Sequence, residues 1–121
     1  MGREIVSGIN RLGAGARWSD VVIHNGTARW VEVAEDPTSD ARTQLRQVLA
    51  QIDATLARLD SGRERLLEVL IFLADLEDAA ALNELWDAWV VPGQAPIRAC
   101  VQAGLSGTYR VEMILTVAID F

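Results

Sequence analysis

The chain contains no lysine; all eleven of its basic residues are arginine. That absence removes every mechanism built on a lysine Schiff base, including anchorage of pyridoxal phosphate. Histidine occurs once, at His24, which excludes a multi-histidine metal centre. With no metal-ligand cluster and no phosphate-cradling glycine loop, the sequence predicts a protein that works without metal or cofactor. The single cysteine, Cys100, rules out an intrachain disulfide. No apolar run reaches membrane-spanning length, and no charged start precedes a signal-type hydrophobic stretch. Cytoplasmic location without membrane association is the expectation. The net charge is −6, and the arginines are scattered; the closest pair, Arg63 and Arg65, is split by Glu64. Without a basic stripe to follow phosphates, a nucleic-acid partner is not expected.

What is present fits one domain spanning 1–121, with 50% hydrophobic and 23% charged residues, a balance that supports a packed core. Val21–His24 and Thr27–Val33 are β-rich runs joined by Asn25-Gly26, the strongest short hairpin signal. The turn-like stretch Glu35–Asp40 leads into a helix that Thr38 or Ser39 can cap. Along it Ala41, Leu45, Val48, Leu49, Ile52, Leu56 and Leu59 recur at threes and fours, and Ser61-Gly62 supplies a stop. Leu66–Leu73 reads as a central strand. Asp75 or Asp78 opens a second helix carrying Ala79, Leu82, Leu85, Trp86 and Trp89, stopped by Pro92-Gly93. Two apolar strands close the chain, around Ala95–Ala103 and from Tyr109 onward, and Arg3–Leu12 suggests a further strand at the start. The resulting order is β-β-β-α-β-α-β-β, an α+β domain with two helices on one face of a mixed six-stranded sheet.

The last two strands carry the functional signal, because each embeds a charge in an apolar run: Arg98 in one and Glu112 in the other. Such side chains are rarely buried unless paired or binding something. A guanidinium offers a planar fork that matches a carboxylate, and a carboxylate can hold a water or take its proton. Together they point to a pocket for a small organic acid with water chemistry beside it. Strand alternation puts Ile97, Ala99, Val101 and Ala103 toward the helices, with Arg98, Cys100 and Gln102 opposite. In the next strand Val111, Met113, Leu115 and Val117 suit the helix side. Arg98 and Glu112 are therefore expected to share the helix-free face, beside Leu70, Phe72 and Ile114. Two helices cannot cover both faces, so a symmetric oligomer is expected to cover this one.

Ala95-Pro96-Ile97-Arg98-Ala99-Cys100-Val101, Arg110-Val111-Glu112, and Phe72–Leu76 followed by Asn83 and Trp86 together resemble the Rid family of enamine and imine deaminases. That family is also called YjgF or endoribonuclease L-PSP, and the resemblance spans nearly the whole chain. It implies a chorismate-mutase-like homotrimer with pockets between subunits. The implied activity is cofactor-independent hydrolysis of 2-imino acids to 2-keto acids and ammonia. In that reading Arg98 holds the substrate carboxylate and Glu112 assists water, while Cys100, Asn83 and Trp18 line the pocket. Two segments depart from the family pattern. Arg17-Trp18-Ser19-Asp20 stands where archetypal members carry Gly-Pro-Tyr, and Val31-Glu32 stands in place of a Ser-Gly pair. A non-catalytic trimeric acid-binding module is the alternative, and endoribonuclease activity a more distant one.

Overall fold

A computed structural model describes residues 8–120. Its elements are β1 (Asn10–Leu12), β2 (Val21–His24), β3 (Thr27–Val33), α1 (Ala41–Arg58), β4 (Leu66–Leu73), α2 (Ala79–Trp89), β5 (Ile97–Gln102) and β6 (Val111–Ala118). The order is the one expected from the sequence. The expected N-terminal strand survives as β1, and residues 3–7 of that expectation lie outside the described residues. All six strands form one sheet in the order β1-β2-β3-β6-β4-β5. Only β4 and β5 run parallel, with α2 as their crossover.

Local chemistry sets the element ends. Asn25 and Gly26 both take positive φ, 51° and 75°, as a two-residue hairpin with the favoured twist requires. The cap of α1 is Asp40 rather than Thr38 or Ser39: its carboxylate accepts the Thr43 amide N–H at 2.8 Å. Thr38 and Ser39 instead close a turn on Asp36. At the other end Asp60 adopts the left-handed conformation (φ 52°), whereas Gly62 is extended, so the expected glycine stop is an aspartate. Asp75 caps a short 3-10 turn ahead of α2, and Asp78 turns its carboxylate to Arg110.

Both helices cover one face of the sheet. Leu45, Val48, Leu49, Ile52 and Leu56 of α1 and Leu82, Trp86 and Trp89 of α2 are buried. Against them lie Val69, Ile71 and Leu73 of β4 and Val111, Met113, Leu115 and Val117 of β6. Burying each of these aliphatic side chains stabilises the fold by about 1.5–3 kcal/mol.

One buried polar residue ties the layers together. Gln44 is fully buried, and its amide nitrogen donates to the carbonyls of Pro37, Ser39 and Thr108. Its Oε1 accepts the Arg110 N–H at 2.8 Å. The side chain thereby joins the start of α1 to the loop that enters β6, satisfying donors and acceptors that would otherwise be stranded.

Candidate active site

The register of the parallel ladder decides where Arg98 points. Val69 stands opposite Arg98, Ile71 opposite Cys100 and Leu73 opposite Gln102. Val69, Ile71 and Leu73 are buried beneath the helices, so Arg98 and Cys100 project to the helix side. This corrects the expected placement. Ile97 and Val101 are the residues turned away from the helices, and they are 71% and 48% exposed. Glu112 stands opposite Phe72 and Val33, on the helix-free face. Arg98 and Glu112 therefore occupy opposite faces, with β4 between their strands, a lateral offset of about 10 Å. They form no ion pair within the chain.

Each of the five expected site residues falls into one of two groups. The first sits at the β5 edge. Arg98 Nη2 donates to Asn83 Oδ1 at 2.8 Å, and its guanidinium carbon lies 5.3 Å from the centre of the Trp86 ring. Cys100 is two residues along the same strand, half-buried against the core. Burial pushes its thiol pKa up, and nearby Arg98 only partly offsets this. A thiol held protonated is a poor nucleophile, which suits a lining role.

The second group lines a cleft of about 690 Å³ that wraps the free edge of β3. β2 pairs with β3 only over Thr27–Arg29, which leaves Trp30–Val33 with a neighbour on one side alone. Trp18, 71% exposed, forms one wall, and Glu112 and Tyr109 lie on another. Glu32 also lines this cleft, but both its oxygens are engaged, by Trp30 Nε1 at 3.0 Å and Gln51 Nε2 at 2.7 Å. The departure at Val31-Glu32 thus serves the fold's own hydrogen bonding. Arg58, at the end of α1, reaches the same cleft and bonds Thr55 Oγ1.

In the sequence Trp86 stands out as part of the α2 apolar stripe and of the family-like motif with Asn83, without a role at Arg98. Its spacing of three from Asn83 puts both on the flank of α2 that meets β5, a relationship visible only once the register of β5 is known. No group of three or more potential metal ligands occurs among the described residues.

The cleft at the free stretch of β3 and the cradled Arg98 on β5 sit in a chain that known proteins resemble over nearly its whole length. The family model described as Endoribonuclease L-PSP matches residues 8–119. The chain is 50% identical over 112 residues to the RutC family protein YoaB of Escherichia coli K12, covering 92% of this chain and 98% of that one. It is also similar to a solved structure from Salmonella typhimurium described as a putative translation initiation inhibitor. That match has 47% identity and a TM-score of 0.86 over 94% of this chain and all of the other. A YjgF-family structure from Neisseria meningitidis superposes with a TM-score of 0.87 at 38% identity, covering 95% and 98% of the two chains. The chain belongs to the YjgF/RutC (Rid, endoribonuclease L-PSP) family.

Proposed function

We propose that this protein hydrolyses small 2-imino acids and their enamine tautomers to 2-keto acids and ammonia. The observation that carries the reading is the state of Arg98. It is oriented by a neutral amide and an indole face, and among the described residues no carboxylate lies within ion-pairing distance of it. Its charge and at least one two-pronged edge of its guanidinium stay available for a substrate carboxylate. Water adds to the imine carbon while Glu112 takes its proton. Glu112 returns that proton to the nitrogen, giving the carbinolamine. The hydroxyl then loses its proton as the C–N bond breaks, the nitrogen takes up a proton and leaves as ammonia, and the keto group remains. No lysine amine is required, and none exists.

Arg98 and Glu112 can meet on one substrate only if a second copy brings its β5 edge to the cleft of the first. Such an interface is head-to-tail, and head-to-tail contacts form a ring when the rotation between copies closes. The family resemblance supports a homotrimeric ring. Its contact would cover Ile97, Val101 and Val31, large apolar side chains that are exposed in the single chain. A ribonuclease reading lacks support in this chain, which is acidic and offers one histidine.

The test is release of ammonia and keto acid from an imine generated freshly by an amino acid oxidase, against the uncatalysed rate. Acceleration supports the hydrolase. Saturable binding of a 2-keto acid without acceleration would leave the non-catalytic acid-binding module instead.

A further inference from the structure

Helix α2 carries two tryptophans, and each has an arginine over its ring. Arg63 lies 4.9 Å from the Trp89 ring centre and Arg98 lies 5.3 Å from that of Trp86, while the two indoles touch at 5.5 Å. The two arginines are otherwise unlike. Arg63 grips Asp53 with two bonds of 2.8 and 2.7 Å and donates a third to the Trp89 carbonyl, so its charge is neutralised inside the fold. Arg98 has the same aromatic floor, but an amide stands where the carboxylate would be.

From this contrast we infer that Trp86 is a positioning residue for the carboxylate-binding arginine, acting with Asn83 to fix the guanidinium plane without cancelling its charge. The inference rests on the proposed role of Arg98. Trp86 is 6% exposed and packed into the core, so its ring is a rigid support. Asn83 follows from the opposite requirement: it is exposed, and its oxygen takes one Nη2 hydrogen. Nη2 has two hydrogens, and each belongs to a different two-pronged edge of the guanidinium. One bond from Asn83 therefore leaves one edge complete. With the ring blocking one face, the approach of a planar carboxylate is confined to that edge. A flexible arginine on an edge strand would have to be ordered by each substrate, at a cost in affinity that the cradle removes in advance.

The test uses Trp86→Phe, Trp86→Leu and Asn83→Asp in the full chain. Phenylalanine keeps an aromatic face, leucine keeps burial without one, and aspartate keeps the hydrogen bond while adding a competing charge. Trp86→Leu should raise KM for imine hydrolysis and Kd for 2-oxobutanoate about 3- to 30-fold with kcat little changed. Trp86→Phe should restore most of that affinity. Asn83→Asp should weaken 2-oxobutanoate binding even though Arg98 is held more firmly. Independently of any substrate, the Arg98 Hε and Hδ signals should shift by the indole ring current in wild type and lose that shift in Trp86→Leu. Unchanged Arg98 signals in Trp86→Leu would overturn the inference. So would wild-type affinity in that variant, or equal losses in Phe and Leu that track melting temperature. If wild type neither binds keto acids nor hydrolyses imines, the functional reading fails, and the ring-current result still decides the positioning.

Discussion

Arg98 and Glu112 lie on opposite faces of the sheet, one over Trp86 and the other beside Phe72. A mechanism that uses both must therefore draw them from two copies of the chain. Covering the exposed Ile97 and Val101 is part of the same requirement. We expect a homotrimer by light scattering, and expect Val101→Glu to dissociate it and abolish imine hydrolysis together. A fully active monomer would separate activity from assembly and refute the shared site.

Arg98→Lys keeps the charge and loses the fork. An ammonium cannot lie over Trp86, bond Asn83 and grip a carboxylate two-pronged at once. The loss of about 1.5–3 kcal/mol of charge-assisted hydrogen bonding should lower kcat/KM roughly ten- to a hundredfold. Melting temperature should hardly change, because Arg98 closes no internal ion pair among the described residues. Destabilisation that leads the activity loss would mark Arg98 as structural.

Much of this was legible in the sequence. The hairpin at Asn25-Gly26, the bounds of Leu66–Leu73 and the faces of β4 and β6 follow from turn chemistry and period-two alternation between well-covered neighbours. The phase of β5 did not follow. It is an edge strand whose outward side chains, Ile97, Ala99 and Val101, are as apolar as core residues, so alternation pointed them at the helices. The arginine stem and Cys100 take that place instead, and only the pairing of Arg98 with Val69 reveals it. Consequently the sequence singled out candidate residues but placed Arg98 and Glu112 on one face. Gln44 was equally hidden: beside Leu45 it reads as an ordinary helical glutamine, and its partners lie up to 66 residues away.

Gln44→Leu preserves much of the volume and removes the partner of the Arg110 N–H and of the Ser39 and Thr108 carbonyls, while the Pro37 carbonyl keeps the Thr108 hydroxyl. The fold should lose at least about 1–3 kcal/mol, the cost of one buried group left unsatisfied. Gln44→Glu should be worse at neutral pH, since a carboxylate cannot donate to the Pro37, Ser39 and Thr108 carbonyls. Denaturant midpoints check both, and wild-type stability in either would contradict the role.

The Asp40 cap makes α1 sensitive to acid. The Thr43 amide N–H, bonded to the carboxylate, holds its pKa below the ordinary aspartate value. Its stabilisation is therefore complete above the unfolded value, near about 3.9, and is lost as pH falls through the lower folded one. Asp36, held down mainly by the Thr38 hydroxyl, adds in the same direction. Asp40→Asn keeps an uncharged cap. Wild type should be the more stable of the two at pH 7, and its lead should vanish in acid. A lead that grows in acid would reverse the sign of the argument.

The central claim, a carboxylate clamp and a water-activating carboxylate contributed by different copies, is tested most directly by complementation. Arg98→Ala and Glu112→Gln proteins, each inactive alone, are co-expressed and the mixed oligomers assayed for imine hydrolysis. With random assembly from equal amounts, about one site in four pairs an intact Arg98 with an intact Glu112 from its neighbour. Activity near a quarter of wild type is the predicted result. Mixed oligomers as inactive as their parents would show that the two residues do not meet across an interface, and the account of the site would fall.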